Sequence, residues 1–231
     1  GLKLLDRAIA QCKANGLYAV LDMHSVPGSQ NQHWHSDNSS HVAHFWDQRQ
    51  FQDRAIWLWE VLAERYKDKP NIIWINGGDT HADMATAAWR ALGETIKSID
   101  HSHLMTFHPF GRTDSSWELN DAAWLDFNMF QSGHKDYAQD TQRCAYGEDN
   151  WRYVEDDWKR TPVKPVVDGE PSYENIPHGL DKTPEPRWQA ADVRRYAWWS
   201  ARPGAASIRL RAASEAEAAV MRAGAGEAHR L

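Results

Sequence analysis

The chain has 231 residues, 42% of them hydrophobic and 25% charged, with a formal net charge of -6. This composition suits one soluble domain with a sizeable core, and its mild acidity argues against a nucleic-acid binder, which would show a basic patch. No run approaches the ~18 consecutive apolar residues of a membrane span. Cys12 and Cys144 are too few for a disulfide framework and are expected to be free thiols. All 13 tryptophans lie between Trp34 and Trp199, which makes the core and its clefts aromatic.

Leu2, Leu5, Ile9 and Cys12 recur at helical spacing, with Gly16 as the stop. Residues 17–24 read as a buried strand ending in His24. A polar loop rich in His, Ser, Asn and Gln follows to about residue 47. Phe51, Ala55, Leu58, Leu62 and Tyr66 mark one helical face, closed by Pro70. Then come a strand at 72–75, a helix at 85–99, and strands at 104–108 and 124–131. A helix at 149–159, a strand at 165–170 and a helix at 188–200 complete the series. Strands alternating with helices imply parallel units with right-handed connections, an α/β sheet or barrel.

Two acidic residues close buried strands: Asp79 ends Asn71-Ile-Ile-Trp-Ile-Asn-Gly-Gly-Asp79, and Glu170 ends Pro165-Val-Val-Asp-Gly-Glu170. Carboxylates at the C-terminal ends of barrel strands are where such folds keep their chemistry. A facing pair suits glycoside cleavage, one as the acid and one across the anomeric carbon. Asp79 alone could instead cap a helix, and Glu170 alone could serve an ion pair. Asp168 and Glu174 are rivals to Glu170; Glu170 is preferred because it ends the apolar run. His24, His108 and His134 each follow an apolar strand and should line the same mouth, with Asn128 and Gln131 able to bind sugar hydroxyls. Trp34 and Trp199 are candidates to stack under a sugar, whereas Trp57, Trp59, Trp89 and Trp158 sit on helices and are assigned to packing. His33, His35, His41 and His44 are dense but lack the ligand spacing of a zinc site, so neither a metal nor another cofactor is expected. No phosphate loop or Ser-His-Asp elbow is present.

Five motifs carry a resemblance over residues 71–200. They are Trp74-Ile-Asn-Gly-Gly-Asp79, Leu104-Met-Thr-Phe-His-Pro-Phe-Gly111, Trp124-Leu-Asp-Phe-Asn-Met-Phe-Gln-Ser-Gly-His134, Val167-Asp-Gly-Glu-Pro-Ser-Tyr-Glu174 and Asp192-Val-Arg-Arg-Tyr-Ala-Trp-Trp-Ser200. This stretch resembles the apiosidase-like glycosidases of glycoside hydrolase family 140 and their relatives. Residues 1–70, through Leu21-Asp-Met-His-Ser-Val-Pro-Gly-Ser-Gln-Asn31, Trp34-His-Ser-Asp-Asn38 and Phe51-Gln-Asp-Arg-Ala55, are similar to the cellulase-like glycoside hydrolase family 5. The resemblance implies a (β/α)8 barrel and retaining hydrolysis, with Asp79 as acid/base, Glu170 as nucleophile and His24 near the sugar. The substrate would be a plant or microbial polysaccharide. A catalytically inactive carbohydrate-binding barrel remnant is the alternative, and a metal-dependent hydrolase a third reading.

A complete barrel has eight strands. The five read here are assigned as strands three to seven of an incomplete TIM barrel over residues 1–200. Strands one and two would lie upstream of Gly1. Residues 201–231, rich in Ala, Arg and Glu, form an atypical tail, expected to be disordered or a lone helix near 212–223. An opened barrel forfeits more than the ~5–15 kcal/mol that domains hold in reserve. The chain expressed alone is therefore expected to be insoluble, molten or inactive.

Overall fold

A computed structural model describes residues 1–133, 150–179 and 186–201. Five strands alternate with helices: α1 (Leu2–Ala14), β1 (Ala19–Asp22), α2 (Arg49–Tyr66), β2 (Ile72–Thr80), α3 (Thr86–Ile99), β3 (Met105–Pro109), α4 (Ser116–Leu119), β4 (Asn128–Phe130), α5 (Trp151–Trp158), β5 (Val166–Asp168) and α6 (Ala190–Ala201). The short α4 had no periodic signal in the sequence. Three of the five strands lie within a residue or two of their expected bounds, and β4 starts four residues later than expected, at Asn128. The other departure is β2, which runs on through Asp79 to Thr80. No described helix is long and apolar enough to cross a membrane. The tail from residue 202, His134 and Cys144 lie outside the described residues.

The strands are parallel and lie side by side in chain order. β1 pairs with β2 in the register Ala19↔Ile72 to Asp22↔Ile75, and β2 pairs with β3 from Trp74↔Met105. β4 pairs with β5 from Asn128↔Val166. Between the two sheets, Asp126 N–H donates to Met105 O at 2.9 Å, and the Thr106 hydroxyl donates to Phe127 O at 2.7 Å. Each strand therefore sits beside its sequence neighbour, with helical connections between them.

Strand alternation sorts the side chains onto two faces. Outward, Ala19, Leu21, Ile72, Trp74, Met105 and Phe107 meet Trp59 of α2 and Trp89, Leu92 and Ile96 of α3 in one core cluster. Trp59 and Trp74 pack edge to face at 5.9 Å, as do Trp89 and Phe107 at 5.6 Å. Trp57 turns away from this layer and is 51% exposed, because two residues from Trp59 is about 200° of rotation around α2. Trp158 is partly buried against the smaller cluster of Phe130, Tyr153 and Val154. The inward face buries Ile73, Ile75, Phe127 and Met129, with Leu104 and Val167 against them. Polar residues take over this face toward the strands' C-terminal ends, where Asp22, His24 and His108 follow Val20 and Thr106 at period two.

Candidate active site

At the end of β2 the backbone is deformed to present Asp79. Gly77, Gly78 and Asp79 have φ of 98°, 97° and 54°, and the ladder to β3 slips between Gly77 and Thr80. Only glycine fits the first two places. A Cβ on Gly77 would lie 2.7 Å from His108 O, and one on Gly78 3.0 Å from both His24 Cα and Met23 O. Asp tolerates the left-handed region better than most residues. The turn is held from the neighbouring loop: Gln30 Nε2 donates to Gly78 O at 2.6 Å, Asn31 Nδ2 donates to Asp79 O at 2.8 Å, and Thr80 Oγ1 donates to Gln30 O at 2.8 Å. Asp79 is not a helix cap, since α3 starts only at Thr86, after a short 3-10 turn.

His108 ties this turn to Glu170. Asp79 N–H donates to His108 Nδ1 at 2.7 Å, so Nδ1 is an acceptor and the ring proton sits on Nε2. Nε2 lies 3.1 Å from Glu170 Oε2 and donates to it. The Tyr173 hydroxyl donates to Glu170 Oε1 at 2.5 Å. Two donors on one carboxylate stabilise its ionised form. Asp79 is treated differently. Burial pushes its carboxyl up, the His35 ring opposes this, and the Glu170 charge adds to the rise. Asp79 Oδ1 is buried and accepts no hydrogen bond among the described residues. Burial, then the bond to Glu170, also raises the Tyr173 phenol.

His24 joins the group. Its Nδ1 is 2.8 Å from Asp22 Oδ2, and that bond raises the imidazole against the effect of burial. Its ring lies 5.6 Å from His108 and 6.0 Å from His35. His35, which no strand carries, places Nδ1 3.2 Å from Asp79 Oδ2, and burial lowers its pKa. His33 stacks on His35 and on Phe110, which also stacks on His81 at 4.5 Å. Gln131 is buried, and its side chain is 4.0 Å from where a Cβ on Gly111 would stand, beside the same rim.

Other expected site residues fall elsewhere. Asn128 faces the helices, where its Nδ2 donates to Asn120 Oδ1 at 3.0 Å. It alternates with Met129, so it does not join the carboxylates. Asp168 does not share a side with Glu170, because β5 ends at Asp168 and regular alternation stops there. Its buried carboxylate accepts from Ser132 Oγ at 2.6 Å, Ser200 Oγ at 3.1 Å and Asn150 Nδ2 at 3.2 Å. Glu174 is exposed on the following loop. Trp199 is half-buried and packs edge-on against Tyr196, with the Arg195 guanidinium over its ring. Trp34 stands in a short 3-10 turn at residues 34–36. Of the four loop histidines, His41 Nδ1 pairs with Gln32 O and His44 Nδ1 with Gln48, so they do not converge on one point. Two other triplets do bring ligand atoms within 4.8 Å of one another: Asp22, His24 and His108, and His24, His35 and Asp79.

The sequence reading missed His35, Tyr173, Gln30 and Asn31. The 25–47 segment reads as exposed because it is polar, yet Gln30, Asn31, Ser36 and Asn38 are buried struts. Their signal was faint: four amide or hydroxyl side chains in a stretch without periodicity.

Residues 3–209 match the family described as "Apiosidase-like, catalytic domain", continuously across Pro70. A "Beta-xylosidase" of Phanerodontia chrysosporium is 37% identical over 146 residues, which is 56% of this chain and 30% of that protein. A "Probable glucan 1,3-beta-glucosidase A" of Aspergillus clavatus is 35% identical over 72 residues, 31% of this chain and 17% of that one. Among solved structures, a glycoside hydrolase family 5 protein from Bacteroides vulgatus superposes with a TM-score of 0.65 at 38% identity, covering 87% of this chain and 52% of that one. The chain thus spans less than a third of the two curated relatives and about half of this solved neighbour. With its parallel strands in chain order and its match over residues 3–209, the chain belongs to the apiosidase-like catalytic-domain family, within the glycoside hydrolases.

Proposed function

We propose that the protein is a retaining glycoside hydrolase with Asp79 as acid/base and Glu170 as nucleophile. The observation that carries this is His108, whose two ring nitrogens connect the Asp79 backbone to the Glu170 carboxylate. Retaining cleavage needs one carboxyl protonated and one ionised, roughly 5–5.5 Å apart. Burial favours the proton on Asp79, while His108 and Tyr173 favour the charge on Glu170. Asp79 would protonate the glycosidic oxygen as Glu170 attacks the anomeric carbon. The leaving alcohol departs with that proton. Asp79, now ionised, takes a proton from water, which displaces Glu170 and returns the sugar with its anomeric configuration kept. His24 and Gln131 would bind sugar hydroxyls, and His33, Phe110 and His81 offer a flat wall beside them.

The five strands are read as strands three to seven of an eight-stranded barrel, which puts Asp79 and Glu170 on strands four and seven. The substrate class we put first is a β-linked pentoside, a xyloside or apioside, on the strength of the family and the Phanerodontia relative. A panel of aryl glycosides, followed by proton NMR of the first-formed anomer, tests this. Retention, abolished by Glu170→Gln, supports the reading; an inverted product, or equal rates in wild type and Glu170→Gln, refutes it.

A further inference from the structure

The rim of the cleft brings a metal-type donor set around the proposed acid/base. His24 comes from the end of β1, Asp79 from the glycine turn of β2, and His35 from the loop between β1 and α2. Their ligand atoms lie within 4.8 Å of one another. We propose that His24, His35 and Asp79 form a binding site for a divalent transition ion of the Zn2+ or Cu2+ class, whose occupancy blocks the sugar site.

Two imidazoles and one carboxylate form a set that suits Zn2+ or Cu2+, whereas Mg2+ and Ca2+ require mainly oxygen ligands. Zinc bonds of roughly 2.0–2.2 Å in a tetrahedral arrangement separate two ligand atoms by about 3.3–3.6 Å. His35 Nδ1 and Asp79 Oδ2 are already 3.2 Å apart. His24 carries the outer partner typical of a metal-bound histidine. Asp22 Oδ2 lies 2.8 Å from its Nδ1, which fixes the ring and leaves Nε2 as the ligand atom. Asp79 Oδ1 accepts no hydrogen bond among the described residues, so the carboxylate has coordinating capacity in reserve. The competing triplet of Asp22, His24 and His108 is weaker. Both nitrogens of His108 are engaged, one by Asp79 N–H and one by Glu170. Three protein ligands leave the fourth position to water or a sugar hydroxyl. An ion bound there occupies the carboxylate that hydrolysis needs as a proton donor.

Binding stands apart from the proposed activity; the inhibition rests on it. Calorimetric titration of the purified protein with ZnCl2, with MgCl2 as control, reads the first. One Zn2+ per chain and no Mg2+ uptake are expected. His24→Ala and His35→Ala should each weaken Zn2+ at least tenfold, while His41→Ala and His44→Ala leave it unchanged. No saturable Zn2+ binding, or full affinity in the His24→Ala/His35→Ala double variant, overturns the site. Thermal melts establish that each variant is folded. If the histidine variants unfold, Co2+ added to the wild-type protein decides: intense visible bands of a four-coordinate ion support the site, and a spectrum of hexaaquo Co2+ refutes it. In the aryl-glycoside assay, Zn2+ should inhibit in competition with substrate and a chelator should restore the rate. Binding without inhibition refutes only the blocking role.

Discussion

The two faces of the same five strands are built to different ends. The outward face is apolar and dry, with Trp59, Trp74, Trp89 and Phe107 at 0–1% exposure. The inward face buries four apolar side chains and then gives way to Asp22, His24, His108 and, past a bulge, Asp79. Stability therefore resides mainly between sheet and helices, where apolar area leaves water at roughly 25 cal/mol per Å². The cleft face is available for groups that a packed core would reject. Mutations on the two faces should separate accordingly.

The largest expected effect is on the cleft face. Glu170→Gln should lower the hydrolysis rate on the order of 10⁴-fold or more, since an amide cannot act as the nucleophile. Its melting temperature should stay close to wild type. Initial rates and a circular-dichroism melt of one sample measure both; an active Glu170→Gln variant would move the nucleophile elsewhere.

The opposite signature belongs to Trp89→Ala. Trp89 is fully buried between Phe45 at 4.4 Å and Phe107 at 5.6 Å. Urea denaturation should show a loss of about 3–5 kcal/mol, with the rate per folded molecule preserved. If catalysis falls in proportion instead, the two faces are not independent.

Gly77→Ala lies on the boundary. The added methyl meets His108 O at 2.7 Å in a backbone with φ of 98°. It should cost about 1–3 kcal/mol of stability and reduce kcat roughly tenfold by shifting Asp79. A Gly77→Ala variant with native kcat would show that the proposed role of Asp79 does not depend on this turn.

The smallest effect sharpens the outer face. Asp114 is buried, and burial together with the neighbouring Asp157 raises its carboxyl well above the usual range. A group that binds its proton more tightly when folded stabilises the fold below its unfolded pKa, and that contribution is lost as pH rises through the folded one. Thermal stability should therefore increase from pH 8 toward mildly acidic pH, and Asp114→Asn should flatten that slope. Melts across pH 5–8 provide the measurement; an unchanged slope in Asp114→Asn would place the titrating group elsewhere.

Much of this was legible in the chain. Apolar runs leading to Asp79 and His108 marked both the strands and the end at which the site forms, because buried strands leave a readable pattern. Trp59 and Trp89 were readable as packing residues from their helical spacing. Asn128 was assigned to the cleft but faces the helices, and the rivalry of Asp168 with Glu170 was settled only by the structure. Which face a strand residue takes depends on where regular pairing stops, and β5 stops two residues before Glu170. His35 was hidden because its position follows from hydrogen bonds among Gln30, Asn31, Ser36 and Asn38, which follow no period.

Those same amides set the terms on which the rim can change. The Gln30 side chain accepts from Val26 N–H and donates to His24 O and Gly78 O, and its backbone carbonyl receives Trp46 Nε1–H and Thr80 Oγ1–H. Asn38 donates to Asn31 O and Val42 O, closing the same loop from its far side. The 25–47 segment is thus moored at a few fixed points, with exposed residues such as Gln32, Asp37, Ser39 and His41 strung between them. A library that varies those intervening positions while keeping Gln30, Asn31 and Asn38 would behave as an exchangeable cassette. If the proposed glycosidase reading holds, screening such a library on aryl glycosides would read whether this segment sets sugar preference.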